Sequence, residues 1–389
     1  MLNVLTWLSR RRFPYETLIT VEVSRGRLLH NLNEFRKIAP RDPETGLRLV
    51  APVLKANAYG HGLSEVARIL AHEKGIPFVV VDSYFEAVAL RSYGLPHEIL
   101  VIGYTRPETI LSSRLRKVVF TVTSLETLES LEQTDWRLPI HLKIDTGMHR
   151  QGILPDQVNR ASELLSENPL IELRGLCSHL ADADNTDPSM TEGQIAIWNK
   201  IARRFKSDFA SLRYTHLSAT DGHRYTADIE ANVSRLGLGL YGLADGSAFT
   251  PRIDLHPVLE MKTIITGIKR ISRDQSIGYG GTYKAPRQMT VATIPVGYFE
   301  GIDRRLSNVG FVELDHKGAH CPIVGRVSMN ITSIDISSQP DIGIGSVVTA
   351  ISNTRSDPNS IESMARLCAT IPYEIAVHIP AHLKRLVVS

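Results

Sequence analysis

The sequence predicts an α/β chain: an N-terminal (β/α)8 barrel of the TIM type followed by a β-rich C-terminal domain. Two observations carry this. Between Leu49 and Leu240, eight short apolar segments recur, with helical stretches between most of them. After Pro251 the helical texture gives way to short strand-like segments separated by Gly, Pro, Asn and Asp. Strands alternating with helices argue for parallel βαβ units, and eight of them match a closed barrel. The length of 389 residues accommodates two domains and a large core. A doubly wound open sheet is the alternative, but no GxGxxG follows an early strand.

Taken in order, the stretch MLNVLTWLSRRR places its apolar residues before its arginines. A secretory signal has the reverse order, so a loose tail or peripheral helix is expected. Leu18 to Val23 reads as a strand that precedes the barrel and is available to the second domain's sheet. Arg25 to Ile38 carries Leu28, Leu29, Leu32 and Phe35 at helical spacing. The eight barrel strands are expected at Leu49–Leu54, Phe78–Val81, Ile99–Ile102, Val118–Thr121, Ile140–Ile144, Leu173–Cys177, Tyr214–Leu217 and Leu236–Leu240. Helices are expected at Leu63–His72, Glu86–Tyr93, Leu125–Gln133, Asp156–Ser166 and Gly193–Phe205. A domain boundary near Thr250 divides residues 1–250 from 251–389. In the second part, strands are expected at Val258–Ile265, Met289–Ile294, Val309–Leu314, Ile331–Ile336 and Val347–Ile351, and one helix at Ser360–Cys368.

The composition narrows the function classes. Forty-four basic and 41 acidic residues give a net charge of +3, which calls for no nucleic-acid partner. No apolar run approaches membrane-spanning length. Cys177, Cys321 and Cys368 form neither a CxxC metal pair nor a disulfide framework, which favours a reducing cytoplasm.

A barrel places its site at the carboxyl ends of its strands. The first strand runs into APVLKANAYGHG and delivers Lys55 and Tyr59. A lysine ending an apolar strand is partly desolvated, which disfavours the ammonium and suits a Schiff base with an aldehyde cofactor. The alternative is a surface lysine at a loop start. The fifth strand leads into KIDTGMHRQG, with Lys143, Asp145 and Arg150. The sixth delivers His179, the seventh Ser218, and the eighth carries Arg235 and Gly237. Ser218 and the glycines after Arg235 suit a phosphate cradle, or simply a glycine-eased turn. His179 is either functional or a satisfied core histidine. A buried Arg235 needs an acceptor, either an acidic side chain or a cofactor ring nitrogen. Asp82, Tyr104 and Thr123 end strands two to four without an assigned role.

APVLKANAYGHG resembles the pyridoxal-phosphate lysine motif of the alanine racemase family. At least seven motifs follow in order from about Leu18 to Tyr373. The resemblance implies that Lys55 holds pyridoxal 5'-phosphate covalently, and that Tyr59, Ser218, Gly237 and Tyr373 (in TIPYEIAV) meet its phosphate. It implies that Arg235 faces the pyridine nitrogen with His179 behind it. Arg150 would flank the cofactor phenolate and the substrate carboxylate, oriented by Lys143, which is carbamylated in some members. Tyr279 in SIGYGGTY matches the second catalytic base. Tyr298 in IPVGYFEG and Met329 in GRVSMN match substrate-contacting positions. Asp184, Arg304, Arg326 and Ile371 match positions lining the entrance. The implied activity is interconversion of L- and D-alanine for peptidoglycan, by a homodimer whose sites are shared between subunits.

The chain departs from the family pattern at several places. His149 and Gln151 flank Arg150 where glycine and leucine are usual. Asn330 replaces the common aspartate, a possible anionic partner for Arg150, and HLKR replaces RVPR. These changes motivate a second reading, a broader racemase acting on serine or basic amino acids. A non-catalytic pyridoxal-phosphate carrier is a third, although a carrier needs no second base. A decarboxylase of the same two-domain plan is a fourth.

Overall fold

The computed structural model describes residues 16–314 and 318–389. The expectation for MLNVLTWLSRRR therefore lies outside the described residues. Two compact units divide the chain. One comprises Arg25–Val258, and the other combines the strand Thr20–Ser24 with Leu259–Val388.

The first unit is the barrel. Its strands are Val50–Pro52, Val79–Val81, Ile99–Val101, Val118–Val122, Leu138–Lys143, Ile171–Cys177, Tyr214–His216 and Ser234–Leu236. The six from Val79 to His216 pair in parallel, in chain order. Val50–Pro52 pairs in parallel with Ser234–Leu236, with Val50 opposite Ser234. Two contacts complete the ring. The Leu54 amide donates to the Val80 carbonyl at 2.7 Å, and the Val233 amide to the Thr215 carbonyl at 3.1 Å. Several strands are only three residues long and wholly buried, as in Val79–Val81. Apolar residues without alternation are what a strand covered on both faces requires.

Rings fill part of the interior. Phe78 meets His141 edge-on at 5.3 Å and Tyr214 at the same distance, and His141 lies 5.1 Å from His216. This filling fixes Gly175, where a Cβ would come within 2.5 Å of the His141 ring. Helices cover the outside. Arg25–Ile38 buries Leu28, Leu32, Phe35 and Ile38, the spacing of one helical face. Tyr84–Ser92 begins at a capping box, in which the Ser83 hydroxyl accepts from the Glu86 amide and the Glu86 carboxylate from the Ser83 amide.

The expected eighth strand, Leu236–Leu240, is displaced. The strand ends at Leu236, and Leu238–Tyr241 is a 3-10 turn. Leucine alternating with glycine has the period of a strand. The glycines instead permit close packing, for a Cβ at Gly239 would come within 2.4 Å of the Phe35 ring. The short helix Pro107–Ser112 was not anticipated.

The second unit is β-rich. A six-stranded sheet runs Ala319–Pro322, Phe311–Leu314, Val347–Ile351, Leu259–Ile264, Thr20–Ser24 and Arg385–Val388. Thr20–Ser24 lies antiparallel to Leu259–Ile264 and parallel to Arg385–Val388. A three-stranded sheet joins Gly267–Ile271, Met289–Ile294 and Thr332–Asp335. The ribbon Ser276–Ile277 with Tyr283–Lys284 carries the Tyr279 turn. Ile277, Ala285, Met289, Val291 and Val324 form a small core beneath it. Besides Ile361–Leu367, a second helix, Pro372–Val377, stands where none was expected. Among the described residues no helix is long and apolar enough to cross a membrane.

Candidate active site

Lys55 follows the first barrel strand, and the backbone beyond it is unusual. Ala56, Asn57, Ala58 and Tyr59 all take positive φ, between 52° and 56°. Four consecutive L-residues in this region cost about 1–2 kcal/mol each, so the surroundings must hold them there. The turn closes on itself, with the Ala58 amide donating to the Leu54 carbonyl at 2.8 Å and the Gly62 amide to the Asn57 carbonyl at 2.9 Å. The Asn57 side chain accepts from the Leu63 amide at 2.9 Å. Tyr59 stacks on Tyr241 at 5.1 Å, and the Tyr241 hydroxyl donates to the Val53 carbonyl at 2.8 Å. The result places the Tyr59 hydroxyl over the eighth-strand turn. A Cβ at Gly237 would come within 2.7 Å of that oxygen.

Arg235 lies buried inside the barrel without a carboxylate partner. One terminal nitrogen donates to the His216 carbonyl at 3.1 Å and meets His216 Nδ1 at 2.5 Å. The other donates to the Ser178 and Leu217 carbonyls, both at 2.8 Å, and meets His179 Nδ1 at 3.0 Å. No acidic side chain forms an ion pair with Arg235 among the described residues. His216 continues inward, its Nε2 standing 2.9 Å from His141 Nδ1. With both terminal nitrogens engaged, Nε–H is the guanidinium donor left for a ligand.

Burial and the neighbouring guanidinium keep these imidazoles neutral. His179 is pushed down to about 3, first by burial and then by Arg235, Arg150, Lys143 and Lys55. His141 falls to about 3 through burial, Arg174 and Arg235, and His216 is also driven well down by burial and Arg235. A neutral His179 accepts from Arg235 at Nδ1, so its proton sits on Nε2. Lys143 is lowered by burial and by Arg150 and Arg235, against the opposing pull of Cys177 and Asp145. Lys55, Lys143, Arg150, His179 and Arg235 thus gather at one end of the barrel. The nearby Asp145 carboxylate does not neutralise them by direct pairing; it accepts from the Gly147 and His149 amides at 2.9 and 3.0 Å. Asp184 is exposed on the loop after the sixth strand.

Polar groups at two strand ends have partners within the loops. The Ser218 hydroxyl donates to the Gly222 carbonyl at 3.1 Å, whereas Thr220 accepts the Gly239 amide at 3.2 Å. The hydroxyl tied to the Gly237–Tyr241 turn is therefore Thr220, which HLSATDG contains but sequence analysis passed over. The Thr123 carbonyl accepts from Gly152 at 3.1 Å and so ties down the loop carrying Arg150. His141 and His216 were also missed; their signal was a histidine inside an apolar strand.

The other anticipated residues belong to the β-rich unit. Tyr279 is 69% exposed, with glycines of positive φ on either side. A Cβ at Gly278 would come within 3.2 Å of the Arg326 amide nitrogen, so Arg326 lies against this turn. The Tyr298 amide donates to the Ser328 carbonyl at 3.0 Å and the Phe299 amide to the Met329 carbonyl at 2.9 Å, joining the two segments expected to meet substrate. Val327 donates its amide to the Ser307 hydroxyl at 3.0 Å, next to the turn Arg304–Leu306. Arg305 bridges Asp303 at 2.6 Å and Glu374 at 3.3 Å, linking that turn to the helix with Tyr373, which Ile371 caps. Asn330 has its own partner, for its side-chain amide donates to the buried Glu300 at 2.6 Å.

Comparison with known proteins agrees with this geometry. The family model described as alanine racemase, N-terminal domain, matches residues 23–245, and that for the C-terminal domain matches 258–387. Alanine racemase of Methanococcus maripaludis is 33% identical over 95% of this chain and 98% of its own length. Alanine racemase of Sorangium cellulosum is 34% identical over 86% of this chain and 90% of its own. The solved alanine racemase of Clostridium difficile 630 superimposes with a TM-score of 0.86 at 29% identity, covering 96% of each chain. Both domain models match in order, and relatives a third identical align over nearly the whole length. This chain belongs to the alanine racemase family.

Proposed function

We propose that this protein interconverts L- and D-alanine, an isomerase reaction using pyridoxal 5'-phosphate held through Lys55. The observation that carries the reading is the gathering of Lys55, Lys143, Arg150 and Arg235 around a neutral His179, with no carboxylate bridged to them among the described residues. Such a place suits a ligand that brings its own negative charges, here a phosphate ester and an amino-acid carboxylate.

The residues present fit the cofactor. Gly237 leaves the space beside the Tyr59 hydroxyl that a Cβ would fill, and Thr220 stands at the same turn. Tyr59, Ser218, Gly237 and Tyr373 would hold the phosphate, with Thr220 a further hydroxyl at the same turn. Arg235 would offer Nε–H to the ring nitrogen. It remains protonated, so it orients that ring without giving it a proton. When bound, pyridoxal phosphate supplies an electron sink for the pair left on Cα after proton removal.

Lys55 Nζ, as the free amine or the ammonium, removes or returns the Cα proton on one face, and the Tyr279 phenolic oxygen, as phenolate or phenol, does so on the other. Two bases on opposite faces suit racemisation, because the proton returned need not come from the side that lost it. Arg150 binds the substrate carboxylate, with Tyr298 and Met329 beside the side chain. Asp184, Arg304, Arg326 and Ile371 line the approach. Lys143 lies among cations, and a carbamate on it would convert repulsion of Arg150 into a hydrogen-bonded contact.

The functional unit is a homodimer in which Tyr279 of one chain completes the Lys55 site of the other. Exposure of Tyr279, Met329 and Ile371 supports a surface that a second chain covers. Three free cysteines favour a cytoplasmic enzyme, supplying D-alanine for peptidoglycan.

Chiral chromatography of a panel of L-amino acids incubated with the purified protein tests the reading. Alanine should reach equal amounts of both enantiomers well before serine, lysine or histidine. Equal rates for serine or a basic amino acid would replace it with a broad racemase. Cofactor absorbance without racemisation would leave a carrier.

A further inference from the structure

We propose that Glu86 is a positioning residue for Lys55, holding the left-handed turn that follows the lysine. The inference rests on the role proposed for Lys55 above.

The Glu86 carboxylate is used on both oxygens. Oε1 accepts from the Ala56 amide at 2.7 Å. Oε2 accepts from the Asp82 amide at 2.9 Å and the Ser83 amide at 3.1 Å. In return the Glu86 amide donates to the Ser83 hydroxyl at 3.2 Å. One side chain therefore ties the peptide joining Lys55 to Ala56 to the end of the second barrel strand and to the start of the helix Tyr84–Ser92.

The position of that bond matters. The Ala56 amide belongs to the peptide plane that fixes the direction of the Lys55 side chain. It also opens the run Ala56–Tyr59, every residue of which has positive φ. Such a run persists only where its surroundings over-determine it. Its other restraints include its own backbone, Asn57 and the Tyr241 ring against Tyr59. Glu86 alone among the side chains named here anchors the turn's first amide to a neighbouring strand and helix. A shift at Ala56 would carry Lys55 off the reacting atom and Tyr59 off Gly237 together. Charge-assisted bonds to backbone amides are short and strong, which suits this use.

Glu86→Ala removes the three bonds that the carboxylate accepts and keeps the one its backbone amide donates to Ser83. Ser83→Ala is the matched control, since it breaks the other half of the cap and leaves the Ala56 contact in place. Hydrogen exchange on the cofactor-free protein reads the turn directly. Glu86→Ala should speed exchange of the Ala56 amide at least tenfold over wild type, and Ser83→Ala should not. In the loaded enzyme, Glu86→Ala should lower kcat about 100-fold, with KM changed far less. It should also lower the fraction of protein with cofactor joined to Lys55, read by visible absorbance. Glu86→Gln keeps one acceptor and should fall between, and it serves if the alanine variant does not fold. Unchanged Ala56 exchange in Glu86→Ala, kcat within twofold of wild type, or an equal kcat loss in Ser83→Ala would overturn the proposal. A wild-type protein that fails to racemise alanine would instead overturn the function, which the exchange measurement does not depend on.

Discussion

Tyr279 and His149 show what single residues contribute. Tyr279 stands on an exposed glycine turn, so its hydroxyl is free to reach a substrate. Tyr279→Phe should suppress solvent-deuterium exchange at Cα for one alanine enantiomer far more than for the other, because Lys55 still serves its own face. Equal exchange from both enantiomers would contradict a two-base scheme. His149 takes φ 54°, a left-handed conformation that glycine adopts without strain. His149→Gly should therefore raise stability by about 1 kcal/mol in urea unfolding, and a loss would contradict the strain. APVLKANAYGHG put Lys55 and Tyr59 at the end of the first barrel strand, where the fold has them, but their roles came from the family resemblance and not from the spacing. It did not announce the four left-handed residues between strand and helix, because nothing in alanine or asparagine alone demands positive φ. Ser218 and Thr220 are two residues apart in one motif, and only the folded loop distinguishes their partners. Asn330 read as a lost partner for Arg150; folded, it satisfies the buried Glu300. Asn330→Asp would set two carboxylates together and should lower stability at pH 7 relative to pH 5.

At the scale of elements, the strand interiors hold a chain of rings and a buried cation. His141, His179 and His216 are neutral in the fold, and burial also takes His223 down to about 4. Unfolded histidine titrates near about 6.5. Between that value and about 4 the unfolded chain binds protons that the folded chain does not, so stability rises with pH across this window. Their contribution is full above about pH 6.5 and is lost on acidification, by about 1 kcal/mol per histidine between pH 7 and 5.5. Urea unfolding at the two pH values measures it, and equal stabilities would contradict neutral burial. Seven of the eight barrel strands were legible because runs such as FVVV and VVFTV are apolar without a break, the mark of strands buried on both faces. The eighth was displaced because LGLGLYG alternates like a strand, while its glycines serve a tight turn under Tyr59 and Phe35. Gly237→Ala should weaken cofactor binding at least tenfold by equilibrium dialysis, since the Cβ would strike the Tyr59 hydroxyl.

The whole molecule divides its proposed chemistry between two units, with Lys55 in the barrel and Tyr279 in the β-rich unit. If each site draws Lys55 from one chain and Tyr279 from its partner, Lys55→Ala and Tyr279→Phe chains should complement each other. Refolded together, about half of the dimers are mixed, and each mixed dimer has one intact site. Activity should recover to roughly a quarter of wild type, whereas each variant alone stays nearly dead. No recovery in mixed dimers identified by differential tags would refute the shared site. All of this depends on Lys55 bearing the cofactor. Borohydride reduction of the purified holoenzyme, followed by peptide mapping, tests that most directly. The account predicts a single pyridoxyl label, on Lys55. A label on Lys143 or any other lysine, with Lys55 unmodified, would contradict it.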